Sequence, residues 1–270
     1  MTDHIPIDPA RFRSAAPHYL QGRPPYSALL IQRVVALCAL GRRDRVLDLG
    51  CGPGQLAVAL APFVGEVVAM DPEPAMLQAA ATEAARLNLP LRLVAGGSED
   101  LASAPGRFQV VTMGRSFHWM DRPRTLARLD GLIEAEGAVV LFRDRHPALP
   151  ENAWSDAYRE LLRRYAAEEQ AGLPHRGPHW LPHEAVLLAS PFSQLERYGV
   201  IERRATPVAT FVERAFSMSS TAPARIGDRA AELATEVERL MAAHAVDGLV
   251  AEVVETEALM AHRPAADGTG

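Results

Sequence analysis

The sequence predicts an α/β protein: a doubly wound, mostly parallel sheet with helical additions that serve as a lid. Three observations carry this expectation. Five short, almost wholly apolar runs occur between residues 41 and 144; helix-patterned segments separate them; and the first run ends in a glycine-rich turn. Continuous apolar runs, unlike alternating ones, mark strands covered on both faces by helices. Crossovers between such strands are right-handed, which gives a Rossmann-like layer.

Each element follows from its own pattern. Residues 25–40 carry Leu29, Leu30, Val34, Val35 and Leu37 at helical spacing, so an amphipathic helix is expected. Residues 45–49 form the first strand, 55–63 a helix, and 67–70 the second strand, which ends at Asp71. The alanine-rich stretch 74–88 puts Met76, Leu77, Ala80 and Ala84 on one face, a helix starting near Glu73. Strands are expected at 91–95, 108–113 and 138–142, with a helix at 122–133. Further on, 152–170 reads as one long helix, 172–182 is rich in Pro, Gly and His, and 195–203 looks like a strand. Short and longer helices follow at 211–219 and 227–244, and 250–261 has the length of a last strand. The expected organisation is a helical N-terminal cap (1–40), a core (41–145 and 193–263), a helical insertion (146–192) and a disordered tail (264–270).

Composition excludes several function classes. Of 270 residues 48% are hydrophobic and 23% charged, as in an ordinary globular protein. The net charge of −5 offers no sequence-independent grip on nucleic acid or anionic lipid. All 28 basic residues are arginine, which removes Schiff-base chemistry and a lysine-bearing phosphate loop. Cys38 and Cys51 are too few for a disulfide scaffold. The most apolar stretch, 28–40, is too short to span a bilayer, and residues 1–10 show no secretory signal. A cytoplasmic protein is expected, monomeric or homodimeric, with a small-molecule partner and neither nucleic acid nor membrane.

The chemistry lies in Val46-Leu47-Asp48-Leu49-Gly50-Cys51-Gly52-Pro53-Gly54. It sits at the carboxyl end of a strand entering a helix, where parallel sheets bind ligands. Glycines there permit positive φ and close approach of a ligand. A nicotinamide fingerprint G-x-G-x-x-G would require glycine at Gln55 and usually lacks an acid inside the strand. Asp48 instead suits a cationic ligand, and Asp71 can accept the two ribose hydroxyls while also capping the helix at Glu73. A phosphate-free adenosine with a cationic, amino-acid-like tail meets all three features. S-adenosylmethionine is that molecule.

The motif 48–54 together with Asp71 resembles the first two motifs of class I S-adenosylmethionine-dependent methyltransferases. Gly97-Ser98-Glu99-Asp100-Leu101 is similar to their third-strand segment beside the adenine. Ser116-Phe117-His118-Trp119-Met120-Asp121, the segment from Tyr19 to Tyr26 with Arg23-Pro24, and Ser217-Met218-Ser219 resemble the small-molecule branch that includes trans-aconitate methyltransferase-like proteins. The resemblance implies cofactor contacts at Tyr19, Arg23, Asp48, Gly50, Cys51, Gly52, Gly54, Asp71, Pro72, Met76, Ser98, Glu99, Arg115 and Ser116. It implies acceptor contacts at His118 and Trp119, with His118 as the named base. Gly97 departs from the pattern, because relatives commonly place Asp there for the adenine amino group; Ser98 and Glu99 are the substitutes.

Blander readings accompany these. Met76 also fits a core position, and Cys51 is a small residue chosen for space. His175, His179 and His183 are spaced by four, but Gly177, Pro178 and Pro182 break the helix a metal site would need; no metal is expected. A non-catalytic cofactor-binding protein and a nicotinamide-dependent oxidoreductase are the alternatives.

Overall fold

Apolar strand ends and capped helices set the frame. The computed structural model describes residues 9–166 and 180–265. Two N-terminal helices, α1 (Ala16–Gly22) and α2 (Ala28–Leu37), precede a β/α alternation. It runs β1 (Arg45–Leu49), α3 (Gln55–Leu60), β2 (Glu66–Asp71), α4 (Pro74–Arg86), β3 (Arg92–Ala95), β4 (Phe108–Gly114), α5 (Arg122–Asp130) and β5 (Ile133–Arg145). The remainder is α6 (Ser155–Tyr165), α7 (His183–Leu188), β6 (Gln194–Pro207), α8 (Val208–Phe216), α9 (Pro223–Ile226), α10 (Arg229–Ala242), β7 (Ala245–Val246) and β8 (Leu249–His262). Two helix starts follow the capping logic closely. Glu73 accepts the Ala75 amide ahead of Pro74, and Asp121 accepts the Arg124 amide ahead of Pro123.

The sheet order is β3-β2-β1-β4-β5-β8-β6, with β7 pairing β8. β1 to β5 are parallel; β8 runs antiparallel to both β5 and β6. The order reverses between β1 and β4, so the crevice outside their carboxyl ends is the place for a ligand. Leu30, Val34 and Leu56 cover one face of the sheet, against Val46 and Val140. Leu126, Leu129, Val186 and Leu187 cover the other, against Leu47 and Val139. A third cluster, with Trp154, Tyr158, Phe211, Leu233 and Val237, binds α6, α8 and α10 into one helical layer.

Several expected boundaries move. The helix expected at 152–170 is confined to Ser155–Tyr165, because 150–152 forms a separate 3-10 turn; residues 167–170 lie outside the described residues. The helix expected at 211–219 starts three residues earlier, immediately after Pro207, whose fixed φ suits a helix entry. Residues 223–226 form their own turn ahead of α10, separated from it by Gly227 at φ 57°. α1 and α7 have no counterpart in the expected helices. The expected tail from 266 onward, most of the 172–182 stretch, His175 and His179 lie outside the described residues.

The N-terminal cap is joined to the late elements by polar contacts. Buried Arg214 donates to both carboxylate oxygens of buried Glu252 (2.9 and 3.1 Å) and, through Nε, to the Gly22 carbonyl (3.1 Å). Glu252 also accepts from Thr206 (2.6 Å) and pairs with His146 (3.0 Å). A Cβ at Gly22 would stand 2.4 Å from the Glu213 and Arg214 backbone, so only glycine lets α1 lie this close on α8. Among the described residues, no helix is long and apolar enough to cross a membrane. Replacing Arg214 by Met leaves a buried carboxylate short of its cation. Arg214→Met is expected to lower unfolding free energy by about 3–5 kcal/mol, as read by urea denaturation.

Candidate active site

The turn after β1 is shaped by three glycines and one carboxylate. Gly50, Gly52 and Gly54 have φ of 67°, 54° and 82°, values that L side chains rarely adopt. At Gly50 space is also decisive, since a Cβ would lie 2.7 Å from that of Ser116. The Gly50 and Cys51 amides donate to the Met70 carbonyl (2.8 and 3.0 Å). The Gly52 amide donates to Asp71 Oδ2 (2.8 Å), and the Glu73 amide donates to Asp71 Oδ1 (2.9 Å). Asp71 thus fastens the first turn to the start of α4. Burial pushes its carboxyl up, against the pull of these two amides.

Asp48 is buried inside β1. Oδ1 accepts the Thr112 hydroxyl (2.9 Å), while Oδ2 is buried without a hydrogen-bond partner. Burial, opposed by the Thr112 hydrogen bond, pushes this carboxyl up to about 7. An orphaned buried carboxylate oxygen is costly unless a cation or donor reaches it.

Two cavities and a slot open around these groups. The first cavity, about 390 Å³, runs along Gly50, Gly52, Asp71, Pro72, Met76 and the segment 97–99. The second, about 430 Å³, includes Arg23, His118, Asp144, His183, Glu184 and Ser219 in its walls. Phe12, Tyr19, Arg115, Ser116 and Trp119 line both, so the two spaces meet at a common wall. The slot, beside the first cavity, is bounded by Tyr19, Tyr26, Asp48, Gly50, Cys51 and Gln55.

Most expected cofactor residues come together in the first cavity and the slot. Met76 is both buried and on the cavity wall. Ser116 donates to the Leu49 carbonyl (2.9 Å). Cys51 borders the slot with its thiol pushed well up by burial, which makes it a filler rather than a nucleophile. Two residues stand elsewhere. Gly54 is turned toward Ala80, 3.1 Å from a Cβ placed on it, and serves the entry to α3. Arg23 faces the second cavity, and its guanidinium lies 5.4 Å from the Tyr19 ring centroid.

Asp144 and the bracing role of Gln55 were not singled out from sequence. Arg115, itself at φ 57°, pairs with Asp144 and donates to Gln55 Oε1 (3.0 Å) and the Pro24 carbonyl (2.9 Å). Burial raises the Asp144 carboxyl, but the Arg115 charge overrides it and holds the group below the ordinary range. Gln55 Nε2 in turn donates to the Arg23 carbonyl (3.4 Å). The residue that breaks the nicotinamide fingerprint is therefore a strut to the N-terminal cap. A lone polar residue after a glycine turn carried no signal of this.

Residues 46–137, which span β1 to β5, match the family described as a methyltransferase domain. A probable S-adenosylmethionine-dependent methyltransferase of Saccharomyces cerevisiae is 28% identical over 60% of this chain, which spans 62% of that relative's length. An uncharacterized methyltransferase of Mycobacterium tuberculosis is 26% identical over 86% of each chain. Among solved structures, an S-adenosylmethionine-dependent methyltransferase from Thiobacillus denitrificans, in complex with S-adenosyl-L-homocysteine, superposes with a TM-score of 0.52. It is 15% identical, and the match covers 96% of this chain and all of the other. Residues 46–137 carry an S-adenosylmethionine-dependent methyltransferase domain. The methyltransferase fold and its cofactor agree with the site: a buried acid inside β1, positive-φ glycines after it and an acid closing β2.

The sign of the Asp48 effect on stability is fixed by its raised carboxyl. Between about pH 4 and about pH 7 the unfolded group has lost its proton and the folded group keeps it, so stability falls as pH rises, by up to about 1.4 kcal/mol per unit. Below that window the group is protonated in both states and contributes nothing. Asp48→Asn is expected to remove this slope, with wild type and variant diverging as pH rises in denaturation curves of the cofactor-free protein.

Proposed function

We propose that this methyltransferase domain transfers a methyl group to a small molecule held in the second cavity. The observation that supports the reading is the common wall: Tyr19, Ser116 and Trp119 border both spaces. An orphaned Asp48 oxygen, glycines where a Cβ would intrude and an acid at the end of β2 fit S-adenosylmethionine. Bound there, it supplies a methyl group already activated on a sulfonium.

The chain's own residues then have distinct tasks. Asp48, at the slot, offers its unpaired oxygen to the cationic amino-acid end. Asp71 retains lone pairs beyond its two amide bonds for the ribose hydroxyls. Gly97 leaves room where relatives carry Asp, and a Cβ placed there would meet Glu99 Oε2 at 2.9 Å. Glu99 thus fills that space with a carboxylate, and we assign it to the adenine amino group. Aligning acceptor and methyl carbon lowers the barrier most, by about 7–11 kcal/mol. A base adds roughly 10²–10⁴-fold, and only for acceptors that must lose a proton. We assign that step to His118, which lines the second cavity with its ring 4.9 Å from that of Trp119. The N-terminal cap, which lines both spaces, and α7, which lines the second, act as the lid.

Calorimetric titration with S-adenosylhomocysteine tests the binding half, with NAD as the control. Saturable heat with the first and none with the second is expected; the reverse pattern overturns the reading. Asp71→Ala is expected to weaken binding by more than tenfold, about 1.4 kcal/mol or more. An unchanged dissociation constant would restrict Asp71 to fastening the turn.

A further inference from the structure

The second cavity holds an imidazole whose hydrogen-bonding state is set by a neighbour from another element. His183, the first residue of α7, lines the cavity. Its Nδ1 lies 3.2 Å from Nη1 of Arg122, the buried first residue of α5. Arg122 is itself fixed: Nη1 donates to the Leu181 carbonyl (2.7 Å), and the guanidinium stacks 3.5 Å from the Trp180 ring centroid. A guanidinium has only donors, so Nδ1 must accept and the ring proton must sit on Nε2. Rings of Phe117 (5.1 Å) and Trp180 (5.9 Å) hold the imidazole between them. With Nδ1 occupied, the polar atom left for the cavity is the Nε2–H.

We propose that His183 is a fixed hydrogen-bond donor to the methyl acceptor, its tautomer locked by Arg122, and that it selects acceptors carrying an oxygen over amines. This rests on reading the second cavity as the acceptor site. The charged groups facing the ring are Arg122 from α5, Arg143 from β5 and Glu184 on α7 itself. Burial first, then the Arg122 charge, hold the imidazole down at about 4, so it stays neutral and cannot serve as a cationic anchor. An oxygen can accept from Nε2–H with one lone pair and attack the methyl with another, whereas an ammonium would meet a donor with a donor and a neutral amine has only the lone pair that must attack. The donor also divides labour with His118, which sits on the same cavity and keeps the role of base.

Two measurements test this, and they fail separately. In the full chain with ¹⁵N-labelled histidine, saturated with S-adenosylhomocysteine, His183 is assigned by its loss in His183→Phe. Protonated Nε2 and bare Nδ1, unchanged between about pH 5 and about pH 8, are expected; a protonated Nδ1 or an imidazolium in that range overturns the proposal. In Arg122→Met, which removes the donor to Nδ1 but leaves the ring buried, Nδ1 is expected to take up part of the ring proton; an unchanged Nε2–H tautomer would overturn the lock. In the second arm, methyl incorporation from labelled S-adenosylmethionine is read on a panel of small phenols, carboxylic acids and amines. Oxygen-bearing members are expected to be methylated, with kcat/KM falling more than tenfold in His183→Phe and recovering in part in His183→Gln. Methylation of amines alone, or a His183→Phe variant as active as wild type, contradicts the proposal. A panel with no methylated member counts against the proposed function, and the tautomer measurement still decides the role of His183.

Discussion

The site depends on one buried carboxylate that two loops share. Asp71 accepts amide hydrogens from Gly52 and Glu73, and so ties the turn after β1 to the start of α4. Three residues of that turn sit at positive φ, a conformation that glycine allows and that costs it more chain entropy than any other residue. Two charge-assisted hydrogen bonds offset part of that cost. With the turn fixed, the ends of β1 and β4 frame one wall of the first cavity, and Asp71 and Pro72 stand opposite.

A second set of contacts brings the N-terminal cap into register with this frame. Arg115 reaches Asp144 at the end of β5, Gln55 at the start of α3 and the carbonyl of Pro24. Its backbone, in the left-handed region, is of the kind that costs about 1–3 kcal/mol and persists where surrounding contacts over-determine it. Arg214 adds a neighbouring attachment, joining Gly22 to Glu252 inside the sheet. Tyr19, one turn before these attachments on α1, lines both cavities and the slot. Arginine suits both posts, because its planar fork satisfies several acceptors at once without losing its charge.

The sheet core was legible because its strands are buried on both faces and its helices begin at identifiable caps. Near-continuous apolar runs placed β1 to β5 within a few residues, and Glu73 with Pro74 marked α4. The later half was less legible. β6 alternates between exposed and half-buried positions and extends to Pro207, and the antiparallel direction of β8 has no local signature. α7 is short and follows Pro182, so periodicity had too little length to act on. In the site, Asp48, Asp71 and the glycines were visible because they stand at the carboxyl ends of two apolar runs and in the glycine turn after the first. Gln55, Asp144 and the Arg122–His183 pair were not, since each acquires its role from a partner 29 to 61 residues away. Gly54, also expected at the cofactor, is the residue that caps the start of α3.

In the proposed arrangement one bound nucleoside presents its sulfur at the wall between two cavities. A crystal structure of the chain with S-adenosylhomocysteine tests it most directly. The account predicts the ribose against Asp71, the amino-acid end in the slot beside Asp48, and the sulfur opening toward the second cavity between Tyr19 and Trp119. Density for the ligand in the second cavity, or a sulfur turned away from the common wall, would contradict it.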